Sequence, residues 1–253
     1  MNRTPELSII IPALNEEQAI AGLLRSLSHQ ERISDCEVLV MDGGSTDGTA
    51  EMAAAFPFAQ VVSCEPGLIQ QLNEGVESAT ASAVWFLHAD TTLPDPRTID
   101  SVIGALTDPN VVGGACRFRL RGDDFYYKIV TGFVNTRAKL LTRAYADQGL
   151  FVRTKLFRQL GGFRPLRGCA DLDLVLRVKA HGAFRLLRAP VETSARTWKR
   201  YGKFQTTVWH LREWFSFEWN RLRRRQSPVP NDHAPEGGLD RKVHQDNTGI
   251  SGN

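Results

Sequence analysis

Three apolar segments that each end in a polar turn are the strongest constraint on the fold of this chain. Residues 7–11, 36–41 and 84–87 are mainly branched and aromatic side chains. Runs of this length are typical of strands buried on both faces. Helical patterns follow the first two runs, so strand and helix alternate along the chain. This alternation predicts an α/β fold with a parallel sheet covered by helices.

Aspartates close two of these predicted strands. Asp42 lies in MDGGSTDGT (41–49), and Asp90 lies in LHADT (87–91). Ligands bind at the carboxyl edge of open α/β sheets, so both residues are candidates for a metal or phosphate site. The alternative for each is an aspartate that only forms the turn. Strand alternation further predicts that His88 and Asp90 share one face.

The first strand leads into IPALNEE (11–17), whose polar residues have two interpretations. Asn15 is predicted to cap the following helix, and Glu16 suits the positive end of that helix. The same two side chains could also line a ligand pocket, and the two roles are compatible.

The later elements are predicted from local patterns. A helix is expected over 67–79 with Gln71 on its polar side, a strand over 111–120, and a helix over 125–141. A strand is expected over 145–153, followed by a helix that Thr154 caps.

The order of these motifs resembles family 2 glycosyltransferases. IPALNEE, MDGGSTDGT and LHADT are followed by DQGLFVR (147–153), LGGF (160–163) and ADLDL (170–174). The resemblance covers roughly residues 6–205 and is nearest to a short bacterial subgroup with HADT in the position of the DXD motif. It implies a GT-A fold, that is, a Rossmann-like, mainly parallel sheet flanked by helices, with a mixed acceptor-side half.

The resemblance also implies a site for a nucleotide-diphosphate sugar. The donor-binding positions that it assigns are Pro12, Ala13, Asn15, Glu16, Asp42, Gly44, His88 and Asp90. Asp90 would be the ligand of Mg²⁺ or Mn²⁺, which neutralises charge on the leaving diphosphate. A buried histidine with a structural role is the alternative for His88.

Acceptor-side roles follow from the later motifs of the resemblance. Asp171 aligns with the general base of a single inverting displacement, with Asp173 as the weaker alternative. Asp147 and Gln148 should face the acceptor, although a turn before a strand would use the same residues.

Two positions depart from the family pattern. Ala170 stands where a glutamate usually precedes the base, which puts an acceptor contact or full activity in doubt. Leu68 stands where relatives carry a cation near the pyrophosphate. Arg196 and Trp198, in a basic segment over 194–202 that resembles a closing loop, could replace that cation. An ordinary basic loop is the alternative.

The domain organisation is predicted as one GT-A domain over 1–225 and a disordered tail over 226–253. The domain comprises a nucleotide-sugar half at about 1–110, an acceptor half at about 111–203 and an amphipathic helix at about 204–225. That helix carries three of the five tryptophans together with several arginines. It either contacts a membrane peripherally or packs on the core as an ordinary helix or oligomer contact.

Composition excludes several classes of protein. A net charge of +3 over 253 residues does not favour nucleic acid as a partner, and no apolar stretch is long enough to span a bilayer. Four scattered cysteines without CxxC spacing favour buried reduced thiols rather than zinc or disulfides. We expect a cytoplasmic protein, with the inner face of the cytoplasmic membrane as an alternative location.

The functional hypothesis is therefore an inverting glycosyltransferase that uses a nucleotide sugar, with UDP favoured. Its acceptor is unknown, and a lipid-linked acceptor is one possibility. The first alternative is a catalytically impaired protein that binds nucleotide sugar or acceptor. The second, a nucleotidyltransferase, lacks support because no Gly-rich phosphate loop follows the first strand.

Overall fold

A mixed sheet forms the centre of the fold in the computed structural model, which describes residues 4–141, 144–166 and 169–226. Within these residues the sheet has eight strands, in the spatial order β3-β2-β1-β4-β7-β6-β8-β5. In chain order they are β1 (Leu7–Ala13), β2 (Cys36–Asp42), β3 (Ala59–Ser63), β4 (Ala83–Phe86), β5 (Thr91–Thr92), β6 (Val111–Leu120), β7 (Leu150–Arg153) and β8 (Ala183–Thr193).

Strand direction is uniform in the first half of the sheet and reverses three times in the second half. β1 to β4 are parallel, whereas β7 runs antiparallel to both β4 and β6. β6 and β8 are parallel, and the short β5 is antiparallel to β8. The predicted parallel half and mixed second half are therefore both confirmed.

Helices connect and cover these strands. They are α1 (Glu17–Ser28), α2 (Thr49–Ala54), α3 (Leu68–Ser78), α4 (Thr98–Leu106), α5 (Phe125–Leu141), α6 (Thr154–Gln159), α7 (Ala170–Lys179), α8 (Arg196–Tyr201) and α9 (Lys203–Gln226). Two 3₁₀ turns occupy Ile33–Asp35 and Ala146–Gln148. None of the helices in the described part of the chain has the length and apolar content needed to cross a bilayer.

Internal contacts divide the chain into two units, Met1–Phe217 and Glu218–Asn253. Of the second unit, the structure describes only residues 218–226, which form the end of α9. The tail predicted to be disordered lies outside the described residues except for residue 226.

Alternate residues of the central strands pack into two separate cores. Ile9 and Ile11 of β1 join the core built with α1, α2 and α4, whereas Ile10 joins the core built with α3, α6 and α7. These three isoleucines are fully buried. Full burial of such a side chain contributes about 1.5–3 kcal/mol, so a strand buried on both faces is a strong anchor.

Close backbone approach occurs within the mixed half of the sheet, at Gly113 and Gly114 of β6. A Cβ atom on Gly114 would lie 2.2 Å from the carbonyl oxygen of Arg185 and 2.3 Å from Cζ of Phe151. Because side chains cannot be accommodated there, this pair of glycines is what lets β6 lie between β7 and β8.

Several local predictions were wrong in detail. The strand predicted from Tyr145 begins only at Leu150, because a 3₁₀ turn comes first and Gly149 ends it with φ 61°. Thr154 is the first residue of α6 rather than its cap, and its hydroxyl donates to the carbonyl of Ala81 at 2.8 Å. The four cysteines are free thiols, but of these only Cys116 is fully buried.

Packing of α9 follows one of the two predicted alternatives at its beginning. The Tyr126 hydroxyl of α5 donates to the carbonyl of Lys203 at 2.9 Å, and Lys203 pairs with Asp124. The Trp198 indole donates to the Thr207 hydroxyl at 3.2 Å. The first two turns of α9 are therefore held on the domain, and a membrane contact stays a prediction.

Replacing Gly114 with alanine should lower the free energy of unfolding by about 2 kcal/mol or more, because the new Cβ overlaps backbone and ring atoms. Gly104 in α4 is the matched control, since a Cβ there meets no atom within 4 Å. Gly104→Ala should instead raise stability by about 0.5–1 kcal/mol. Urea unfolding of the two variants measures both effects, and equal stabilities would contradict the close approach.

Candidate functional site

Two turns at the carboxyl edge of the parallel strands are bound to each other through Asn15. The Asn15 side-chain oxygen accepts the backbone N–H of Thr46 at 2.9 Å, and the backbone N–H of Asn15 donates to the Ser45 hydroxyl at 3.0 Å. Asn15 has a φ of 53°, a left-handed conformation that asparagine tolerates. Helix α1 begins at Glu17 with Glu16 as the residue before it, so the prediction that Asn15 caps this helix was wrong.

Asp42 ends β2 and organises the second turn. It is 6% exposed, and its two carboxylate oxygens accept the N–H of Ser45 at 3.3 and 3.2 Å. Gly44 follows with φ 82°, which favours glycine. The turn-forming role of Asp42 is therefore present, and a role in binding nucleotide stays a prediction.

Gln71 is a residue of this edge that sequence reasoning misplaced. It is 3% exposed, and its side-chain amide donates to the carbonyls of Ala13 and Met41, both at 2.8 Å. It thereby joins the ends of β1 and β2. The signal was available, because Gln71 shares the buried stripe of α3 with Leu72, Gly75 and Val76.

The segment with His88 and Asp90 is a turn rather than a strand. β4 ends at Phe86, and the N–H of Thr91 donates to the carbonyl of His88 at 3.0 Å. Strand alternation therefore does not apply to His88 and Asp90, and that argument was wrong. The turn nevertheless lies directly after β4, next to the end of β1.

Arg196 connects the first turn to the turn after β4. Its guanidinium makes a bidentate contact with the Glu16 carboxylate, and its Nε lies 3.3 Å from Oδ2 of Asp90. Hydrogen bonding to Glu16 and the charge of Asp90 raise the pKa of Arg196. The segment predicted as a loop is the helix α8, which carries Arg196 to this edge. Trp198 on the same helix is 8% exposed and stacks on His210 at 5.3 Å.

Asp171 lies in the first turn of α7 and is held by two backbone donors. The N–H of Ala146 donates to its Oδ2 at 2.8 Å, and the N–H of Leu172 donates to its Oδ1 at 2.7 Å. Burial raises the pKa of Asp171, while those hydrogen bonds and His88 oppose the rise. Asp173 instead pairs with Arg177 at 2.8 Å, which gives it a structural role.

Asp147 is a second carboxyl group beside Asp171. Its Oδ1 is buried without a hydrogen-bond partner. Burial and the charge of Asp171 raise the pKa of Asp147 to about 7, with Arg137 acting in the opposite direction. Gln148 is 1% exposed, and its side-chain oxygen accepts the N–H of Tyr145 at 3.1 Å. Gln148 therefore supports the turn and does not line the cavity described next.

A cavity of about 440 Å³ lies between α3, α5, α7 and α9. Its polar groups include His88, Asp147 and Asp171. Most of its wall is apolar and comprises Leu68, Ile69, Leu72, Phe118, Val130, Phe133, Val134, Phe163, Leu166, Ala170, Trp198, Trp209 and Leu211. The candidate base and the second carboxyl group thus share one cavity whose surface is mostly apolar, with Arg137, His210 and Glu213 among its other polar residues.

The residues present fit a divalent metal only if a ligand shares the coordination. Within the described residues, no group of three His, Cys, Asp or Glu side chains could hold a metal by itself. Asp90 offers one carboxylate, which is the typical protein contribution to Mg²⁺ when phosphate oxygens complete the coordination. The ion pair with Arg196 also indicates that this carboxylate is placed to neutralise a cation.

Asp147 should make stability depend on pH. Its carboxyl group keeps a proton in the folded state up to about pH 7, whereas the unfolded state loses it near the ordinary pKa of 3.8. Folding stability should therefore fall as the pH rises from about 4 to 7. Asp147→Asn should reduce this fall by about 2 kcal/mol, measured by chemical unfolding at pH 5 and pH 8. An unchanged pH dependence would contradict the raised pKa, and Asp123→Asn on the exposed surface is the control.

Comparisons with known proteins identify the family of this chain. Residues 8–163 match the family described as glycosyl transferase family 2. A curated relative named PGL/p-HBAD biosynthesis glycosyltransferase, from Mycobacterium bovis (strain BCG), is 28% identical over 214 residues, covering 81% of this chain and 80% of the relative.

Two solved structures share the fold. The mannosyltransferase PcManGT from Pyrobaculum calidifontis, in complex with GDP-Man and Mn²⁺, has a TM-score of 0.59 and 23% identity, covering 76% of this chain and 57% of that one. S. aureus TarS residues 1–349, in complex with UDP-GlcNAc, has a TM-score of 0.62 and 18% identity, covering 75% and 58%. The family match spans more than half of this chain, and the chain belongs to glycosyl transferase family 2 as a glycosyltransferase with a GT-A type fold.

Proposed function

We propose that this chain transfers a sugar from a nucleoside-diphosphate sugar to an acceptor hydroxyl with inversion, using Asp171 as the general base. The observation that carries the proposal is that His88, Asp147 and Asp171 line one cavity. Asp90 lies close enough to raise the pKa of Asp147. These two observations support assigning the candidate metal ligand and the candidate base to a single site, although they lie far apart in the sequence.

The donor would occupy the carboxyl edge of the parallel strands. Nucleotides bind at this edge in open α/β sheets. The residues that we assign to it are Pro12, Ala13, Asn15, Glu16, Asp42, Gly44, His88 and Asp90. The two solved structures are complexes with GDP-Man and UDP-GlcNAc, and of these two nucleotides we favour UDP for this chain. The HADT segment also favours membership of the short bacterial subgroup with that motif.

Asp90 and the donor diphosphate would together hold Mg²⁺ or Mn²⁺, with His88 beside them. Such an ion neutralises negative charge on the leaving diphosphate. Arg196 would leave Asp90 when the donor binds and contact a phosphate oxygen, since a guanidinium pairs well with either anion. This movement would place a cation where the apolar Leu68 cannot provide one.

Bond formation and proton transfer would occur at Asp171. The acceptor oxygen attacks the anomeric carbon while the bond from that carbon to the diphosphate oxygen breaks, and the diphosphate leaves with the electron pair. The acceptor proton moves to Asp171, whose orientation is fixed by the N–H groups of Ala146 and Leu172. Burial raises the pKa of Asp171, which makes its carboxylate a stronger base. Asp147 would orient the acceptor hydroxyl from the other side.

The variants Asp90→Ala and Asp171→Asn should distinguish loss of nucleotide binding from loss of turnover. A panel of UDP, GDP, dTDP and CDP, each with and without Mn²⁺ or Mg²⁺, should show one metal-dependent thermal shift in the wild type. At a hundred times its Kd, the ligand stabilises the fold by about 2.7 kcal/mol. Asp90→Ala should lose this shift, because the metal loses its carboxylate. Asp171→Asn should keep the shift and lose turnover by about 10²-fold or more.

Asp173→Asn is the matched control, because Asp173 lies on the same helix and pairs with Arg177. It should retain turnover, with some loss of stability. Normal turnover by Asp171→Asn, or its loss only in Asp173→Asn, would contradict the assignment of the base. A wild type that binds nucleotide without turning over any donor would favour the alternative of a catalytically impaired binding protein.

A peripheral contact with a membrane is the second part of the proposal. Exposed large apolar side chains concentrate on α5 and the described beginning of α9, and include Phe125, Ile129, Phe133, Leu140, Phe204, Val208, Trp209 and Phe215. Exposed cations lie on the same helices, among them Lys128, Lys139 and Arg212. Apolar surface together with cations suits the interface of an anionic bilayer. This location would be the inner face of the cytoplasmic membrane, near a lipid-linked acceptor.

Sedimentation with lipid vesicles tests this contact. The wild type should bind vesicles that contain phosphatidylglycerol more tightly than neutral phosphatidylcholine vesicles. Phe125→Asp/Phe204→Asp should reduce binding about tenfold or more, because two apolar anchors become charged. Ala54→Asp/Ala55→Asp, which adds the same charge at the exposed C-terminal end of α2, should bind as the wild type does. Equal binding by both double variants would exclude this surface.

A further inference from the structure

We propose that the cavity beside Asp171 takes an acceptor whose hydroxyl is attached to a hydrocarbon body, such as a phenol or a long-chain alcohol, rather than a sugar. The proposal rests on the function proposed above, because it assigns the acceptor of the same site. The hydroxyl would lie at Asp171 and the hydrocarbon body would fill the remaining cavity.

The size and walls of the cavity support this class of acceptor. Its volume of about 440 Å³ lies within the range of about 300–1,000 Å³ that is typical of small-molecule sites. The apolar walls include Leu72 of α3, Val130 and Phe133 of α5, and Trp209 of α9. A sugar carries hydroxyl groups on all sides, and burying each one without a partner costs free energy. This wall provides few partners for them.

Other polar side chains that line the cavity include Arg137, Thr207, His210 and Glu213. The guanidinium of Arg137 lies 4.2 Å from the centre of the Tyr145 ring and lowers the pKa of Asp147 against the effect of burial. The Thr207 hydroxyl accepts the indole N–H of Trp198 and also contacts the Tyr126 hydroxyl. Buried polar atoms of this cavity that lack a partner include Oδ1 of Asp147 and Nε of Arg137. The charges of Arg137 and Asp171 both act on Asp147, so these groups form one polar cluster that suits a ligand with one hydroxyl head.

Both departures from the family pattern occur in this cavity. Leu68 and Ala170 are the positions where the resemblance implied a charged side chain, and both line its wall. Ala170 directly precedes Asp171, so the family's glutamate is replaced by an apolar residue next to the proposed position of the acceptor hydroxyl. The two differences act in the same direction, because each replaces a charge by an apolar surface.

Calorimetric titration without a donor tests the proposal directly. The probes are 4-butylphenol, 1-octanol and methyl glucoside. At least one of the first two should bind, with a negative change in heat capacity that marks apolar burial, and methyl glucoside should not. Binding of 4-butylphenol would indicate an aromatic acceptor, and binding of 1-octanol an aliphatic one.

Ala170→Glu and Leu68→Glu should each weaken that binding about tenfold or more, since a carboxylate would enter the apolar wall. Leu68 is 48% exposed, so its variant should fold even if Ala170→Glu does not. Ala54→Glu, on the exposed side of α2, is the matched control and should bind normally.

Three results would overturn the proposal. They are binding of methyl glucoside alone, no binding of any probe, and binding that neither cavity variant weakens. The nucleotide thermal shift is measured on the same protein. A shift without alcohol binding would reject this acceptor class and leave the proposed function intact, whereas alcohol binding without a shift would reject the donor site instead.

Discussion

Parallel pairing of β1 with β2 on one side and β4 on the other is the constraint on which the site depends. The three strands end at one edge, so the turns that contain Asn15, Asp42 and Asp90 lie side by side. Burial of β1 on both faces fixes its register, because a shift by one residue would exchange the two cores. Gln71 reinforces the arrangement by donating to carbonyls at the ends of β1 and β2.

Charge at this edge is balanced by a residue from the distant end of the chain. Glu16 and Asp90 are partly buried carboxylates, and Arg196 pairs with both. Without a cation, two carboxylates at a sheet edge would repel each other. Arg196 therefore offsets the repulsion between the two carboxylates before a donor binds. The same charge makes it available to a diphosphate afterwards, so one residue can stabilise the free site and bind the ligand.

Burial of carboxyl groups, rather than ion pairing, characterises the acceptor side. Asp147 and Asp171 lie close together beside an apolar wall, and burial together with mutual repulsion raises the pKa of Asp147 to about 7. Gly113 and Gly114 make this side possible, since they allow β6 to approach both of its neighbours. Helices α5 and α9 then close the cavity through the contacts of Tyr126, Lys203 and Thr207.

The sequence by itself determined the alternation of strands and helices and the turns after the first two strands, because apolar periodicity and turn-forming residues are local signals. It also fixed the family through the order of its motifs. It did not reveal that Gln71 is buried, that His88 and Asp90 lie in a turn, or that the basic segment is a helix carrying Arg196 to Asp90. Those facts depend on which surfaces meet across the fold. Contacts between residues so distant in the chain are set by packing and charge balance, and only the tertiary structure decided them.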